Sequence, residues 1–150
     1  MTKSDSPDRA APLYRGMDQA TLERQYNARA SVPSFEAEQA ADARESTLVR
    51  QALPDCETVV YDQRSGEQLD LYGVAPGRPV FLWIHGGYWR GGSRGGNAFA
   101  AGGLAANGVA VAVMDYTLAP AVGIGEIVRQ VRAAVAWLHR HAGARGLRAD

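Results

Sequence analysis

Val80-Phe81-Leu82-Trp83-Ile84-His85-Gly86-Gly87-Tyr88-Trp89-Arg90 decides how the rest of the chain is read. It opens as an apolar run of strand length, rich in β-branched and aromatic residues. Such a run suits a strand buried on both faces of a parallel sheet. Pro79 precedes it and Gly86-Gly87 follow it. A strand that passes into two glycines leaves its next backbone N–H groups unshielded by side chains. N–H groups so placed can hold a developing negative charge. That is an oxyanion hole, among the largest single contributions to acyl-transfer catalysis. The plain alternative is a tight glycine turn closing a core strand.

Outward from this stretch the pattern is that of alternating strands and helices. Residues 58–61 and 69–74 predict two strands, with Arg64-Ser65-Gly66 as turn chemistry between them. The second alternates apolar and polar residues, which predicts an antiparallel strand with one wet face. On the other side, Asn97 is placed to cap a helix over 98–106, where Gly102 and Gly103 allow close packing on a sheet. Asn107-Gly108 ends that helix, and residues 109–114 read as a second fully buried strand. Strand, helix and strand at this spacing form a βαβ unit with a right-handed crossover. Residues 126–141 give the clearest helical period, with Ile127, Val128, Val131, Ala134, Val135 and Leu138 in one stripe.

Toward the N-terminus, residues 1–12 are polar with two prolines and predict disorder. Residues 13–150 then form part of a single domain. Asp18 caps a short helix over 19–27, and Ser34 caps a longer one over 35–53 that Pro54 stops.

Composition narrows the partners. Lys plus Arg and Asp plus Glu both number 16 in 150 residues, so the net charge is zero. Neither a nucleic-acid partner nor a membrane-surface partner is expected. Cys56 is the only cysteine, which leaves no disulfide framework and no Cys-rich metal site. The first residues lack an apolar signal core, and a cytoplasmic protein is the expectation.

Two motifs match in letters and fail in context. Gly91-Gly92-Ser93-Arg94-Gly95 spells Gly-x-Ser-x-Gly. A nucleophile elbow needs a strand directly before the serine and a helix directly after it. Ser93 instead follows a glycine-rich loop, whose expected role is a mobile segment near the substrate. Gly123-Ile124-Gly125-Glu126-Ile127-Val128 resembles a dinucleotide fingerprint, but Val128 stands where the third glycine belongs. There is no Walker A pattern and no His-Glu-x-x-His, so no cofactor and no metal is expected. His139 and His141 read as solvated residues of a helix's last turn.

The His85-Gly86-Gly87-Tyr88-Trp89 segment resembles the loop after the third strand of α/β-hydrolase esterases, and most closely that of the arylformamidase (kynurenine formamidase-like) branch. Tyr26-Asn27-Ala28-Arg29, followed by Val32-Pro33, resembles a segment that precedes the core in that branch. Asp115-Tyr116-Thr117-Leu118-Ala119-Pro120 resembles the segment after the fourth strand in hormone-sensitive-lipase-like and formamidase-like hydrolases.

The resemblance implies an α/β-hydrolase fold: the N-terminal portion of a mostly parallel sheet with flanking helices, cut before the nucleophile elbow. It implies a serine nucleophile, acid and base outside these 150 residues. Gly86 and Gly87 would form the oxyanion hole, and Tyr88 and Trp89 would line the acyl or aryl pocket. His85 would position the loop. The substrate would be a small-molecule ester or formamide. A general carboxylesterase and an inactive fragment remain as alternatives. The strand at 80–84 would expose an open edge, so residues 1–150 alone are expected to be poorly soluble or to form a homodimer through that edge.

Overall fold

The computed structural model describes residues 12–148. The disorder expected over residues 1–12 falls, up to residue 11, outside the described residues. Backbone contacts divide the chain into two compact units, Met1–Gln39 and Ala40–Asp150.

The first unit holds helix α1, Gln19–Tyr26. Asp18 caps it as expected, its carboxylate accepting from Thr21 N–H at 2.8 Å. The Tyr-Asn-x-Arg segment has local work here. Asn27 Oδ1 accepts from Ala30 N–H at 3.3 Å and starts a short 3₁₀ turn. The Arg29 guanidinium lies 4.7 Å from the centre of the Phe35 ring. Helix α2, Phe35–Ala52, begins in this unit, with Ser34 Oγ accepting from Ala37 N–H at 3.2 Å.

The second unit is built on four strands: β1, Glu57–Val60; β2, Gln68–Tyr72; β3, Val80–Ile84; and β4, Ala110–Met114. Their order is β1-β2-β4-β3. The first two junctions are antiparallel, and β3 runs parallel to β4 from Val80 opposite Ala110 to Ile84 opposite Met114. Helix α3, Phe99–Ala106, connects β3 to β4, and α4, Ile124–His141, follows β4.

The two-residue period of β4 divides the core. Ala112 and Met114 pack with Ile127, Ala134, Trp137 and Leu138 of α4. Val111 and Val113 face the other way, toward Ala98, Ala101, Leu104 and Val49. Every residue of β4 is buried, as its unbroken apolar run predicts.

Three expectations change. β2 is antiparallel, but Asp70 in its Leu-Asp-Leu alternation is 8% exposed rather than wet. Both faces of β2 are covered, Leu69 and Leu71 packing in one core cluster and Tyr72 in the other, and the carboxylate is paired instead. Asn97 does not cap α3; its Nδ2 donates to the Ser93 carbonyl at 2.9 Å. Ser46 of α2 does that work from outside, accepting from Phe99 N–H at 3.1 Å and donating to the Gly96 carbonyl at 2.9 Å. Finally, the buried face of α4 is Ile127, Gln130, Ala134, Trp137 and Leu138, while Val128 and Val135 are about half exposed. Gln130 turns inward because it bridges to Thr117, accepting from the N–H at 2.8 Å and donating to Oγ1 at 2.9 Å.

Candidate active site

The C-terminal ends of β3 and β4 lie side by side, and the chain leaves both in irregular loops. After β3 the backbone turns through three successive left-handed residues: Gly87 at φ 116°, Tyr88 at φ 52° and Trp89 at φ 63°. Tyr88 and Trp89 carry side chains in a region that suits glycine, so the turn stores strain. Arg90 N–H closes it onto the Gly87 carbonyl at 3.0 Å. The Trp89 carbonyl accepts from Ala119 N–H at 2.7 Å, fixing the turn to the segment after β4.

A cleft of about 530 Å³ opens here, lined by residues from Ile84 to Trp89 and by Tyr116. Among the described residues, no protein acceptor takes the N–H of Gly86 or Gly87. Tyr88 and Trp89 are 64% and 45% exposed at its rim. His85 is 2% exposed, its ring stacked on Tyr116 with centroids 4.3 Å apart. His85 Nδ1 sits 2.9 Å from the Gly86 carbonyl. Its Nε2 has no hydrogen-bond partner among the described residues and faces Asp115 Oδ1 at 3.9 Å. The Tyr116 hydroxyl donates to the His85 carbonyl at 2.9 Å. Burial pushes the Tyr116 phenol above its ordinary pKa, which keeps that donor proton in place. Tyr61 does the same for β4, donating to the Asp115 carbonyl at 2.7 Å.

A polar cluster that sequence reading missed lies behind the loop. Arg94 reaches back to the sheet: Nη1 donates to Asp115 Oδ2 at 2.6 Å, Nε to Asp70 Oδ1 at 2.9 Å and Nη2 to Gln68 Oε1 at 2.9 Å. Its backbone N–H donates to Asp115 Oδ1 at 2.6 Å. Partial burial works against the guanidinium charge, but Asp70 and Asp115 outweigh it and raise the Arg94 pKa. The signal available in the sequence was Asp70 itself, a carboxylate in a strand between two leucines that needs a cation if both faces are covered. The glycine-rich stretch is therefore anchored to the sheet, not left as the mobile segment its composition suggests.

The structure brings together His85, Gly86, Gly87, Tyr88 and Trp89 in one cleft and leaves Ser93 out. Ser93 is exposed, follows no strand, and accepts from Gly96 N–H at 3.1 Å. His139 is exposed, and His141 stacks on Trp137 at 4.6 Å. Among the described residues, no group of three or more His, Cys, Asp or Glu side chains could hold a metal ion. A second concavity lies along α4 alone, lined by residues between Val131 and Arg140. None of the described helices is long and apolar enough to cross a membrane.

Residues 69–150, more than half of the chain, match the family model BD-FAE. The chain belongs to the BD-FAE family. A kynurenine formamidase from Danio rerio is 31% identical over 134 residues, covering 81% of this chain and 45% of the formamidase. A candidate thioesterase from Silicibacter sp. TM1040 superposes with a TM-score of 0.71 at 27% identity, over 79% of this chain and 46% of that one. Esterase 2 from Thermogutta terrifontis shares the fold at 24% identity, with a TM-score of 0.54 over 63% of this chain and 37% of its own. This BD-FAE member thus carries part of an α/β-hydrolase fold and belongs to a family of hydrolases. It spans less than half the length of each of these three relatives.

Proposed function

We propose that the protein is a serine hydrolase of formamide bonds, of the kynurenine formamidase kind, and that this chain supplies its oxyanion loop. One observation carries the reading. Gly86 and Gly87, whose N–H groups meet no protein acceptor among the described residues, line a cleft at the end of a parallel strand, in a turn strained by left-handed Tyr88 and Trp89. Strain of this kind persists where the surroundings over-determine it, and it clusters at active sites.

In the proposed reaction the Gly86 and Gly87 N–H groups hold the oxygen of the tetrahedral intermediate. A third donor comes from beside the nucleophilic serine. That serine, its histidine and its acid come from sequence beyond residue 150, since Ser93 has no histidine bonded to it. His85, with Nδ1 on the Gly86 carbonyl and its ring on Tyr116, positions the loop and is not a base. Tyr88 and Trp89 offer aromatic faces to an aryl or acyl group. The 31% identity to a kynurenine formamidase favours a formamide over an ester.

The full-length product of the reading frame that encodes this chain is to be assayed on N-formylkynurenine and on short p-nitrophenyl esters. Faster turnover of the formamide is expected. Turnover of esters alone would move the substrate class to carboxylesters. Turnover of neither would end the hydrolase reading.

A further inference from the structure

We infer that Arg94 is the positioning residue of the oxyanion loop, tying the Gly91-Gly92 backbone that packs against His85–Gly87 to the ends of β2 and β4. The inference rests on the proposed role of the Gly86 and Gly87 N–H groups.

The starting point is how closely the two halves of the loop meet. A Cβ on Gly87 would lie 2.3 Å from the Gly91 carbonyl oxygen. A Cβ on Gly92 would lie 2.4 Å from His85 Nδ1 and 2.8 Å from the Gly86 carbonyl oxygen. The backbone at 91–92 is thus in direct contact with the backbone that presents the two N–H groups. Wherever Gly91 and Gly92 run, the donors must follow.

Glycines have no side chain with which to hold themselves in place. Ser93 bonds only locally, accepting from Gly96 N–H and Asn97 Nδ2. Arg94 is the next residue, and the four bonds it donates all leave its own loop. Asp70 and Gln68 belong to β2, and Asp115 directly follows β4. Those strands lie next to each other in the sheet. The path runs from the sheet through Asp70 and Asp115 to Arg94, then through Gly91-Gly92 to the donors. Asp115 serves it twice, because its Oδ1 also stands 3.9 Å from the orphaned His85 Nε2. A planar guanidinium with several fixed donors can bridge three acceptors at once, which an ammonium cannot.

The test uses the full-length protein with Arg94→Ala, Arg94→Lys and Asp115→Asn. Misplacing a catalytic group by about 1 Å costs roughly 10²-fold in rate, so Arg94→Ala is expected to lose about that in kcat with KM unchanged. Arg94→Lys should recover little, and added methylguanidine should restore part of the Arg94→Ala rate. Asp115→Asn keeps the volume, removes the charge and should also lower kcat. Independently of any substrate, amide exchange of Arg90 and Ala119, whose bonds close the turn, should quicken in Arg94→Ala while β4 amides do not change. Unchanged kcat, or a loss explained wholly by KM or by a lower unfolding midpoint, would overturn the inference. If the wild type turns over neither substrate, the hydrolase reading falls instead, and amide exchange alone then decides whether Arg94 positions the loop.

Discussion

At the scale of the residue, the site is set by where a Cβ cannot go. Gly87 combines a φ of 116° with a neighbouring carbonyl oxygen 2.3 Å from any added Cβ. The obstacle is backbone, so no rotamer change relieves it. Gly87→Ala must therefore move the turn and with it the proposed oxyanion donors. Loss of one such donor costs about 10²–10³ in kcat, and a fall of that size, with secondary structure intact by circular dichroism, is the expected outcome. A Gly87→Ala enzyme at wild-type kcat would take the glycine out of the site. His85, Gly86 and Gly87 drew attention in sequence because a glycine pair ends an apolar strand, a pattern that alone also fits a plain turn; the further motifs weighted it toward the proposed site. Arg94 was not, because it sits inside a false Gly-x-Ser-x-Gly. A long side chain that bonds backward across 24 residues to Asp70 leaves no local signature.

At the scale of the element, the periodicities located the strands and helices to within a residue or two. They misjudged faces wherever a polar side chain was recruited inward. β2 showed an alternation that reads as half-wet, yet Asp70 is buried because Arg94 and Thr58 meet it. α4 turned Gln130 inward for Thr117, and its stripe rotated away from Val128 and Val135. The start of α4 is also fastened by charge: Arg129 bonds both Glu126 and Asp62, the latter just past β1. The Arg129 guanidinium bonded to Asp62 holds that carboxyl down at about 2, against an ordinary 3.8, in spite of an opposing contribution from burial. A depressed folded-state pKa contributes stability that is present above the unfolded value and lost as pH falls through the folded one. Wild type is therefore expected to exceed Asp62→Asn in unfolding free energy at neutral pH, with the difference shrinking between pH 3.8 and about 2. Urea titrations of both proteins across that range check it. A difference that does not change with pH would mean that the Asp62 charge contributes nothing.

At the scale of the whole molecule, the sequence carried the first two strands and the βαβ unit but not the junction between β2 and β4. A short antiparallel pair followed by a βαβ unit leaves few arrangements, and the observed order is β1-β2-β4-β3. The consequence is that β3, the strand the site grows from, pairs with β4 on one side, while on the other the only described partner is the bridge of Arg148 to Pro79, just before Val80. Phe81 and Ile84 on it are 45% and 41% exposed. An apolar strand with open N–H and C=O groups templates pairing with another chain. We therefore expect residues 1–150, expressed as given, to associate through β3, with a sedimentation-derived mass above that of one chain and rising with concentration. Charge on an edge strand opposes such pairing, so Phe81→Lys should shift the population toward the monomer. Phe81 belongs to none of the three core clusters, which makes a large loss of stability an unsuitable explanation for that shift. A wild-type chain that sediments as one monomeric species at every concentration would show that this edge is closed by other means, and the pairing would have to be abandoned.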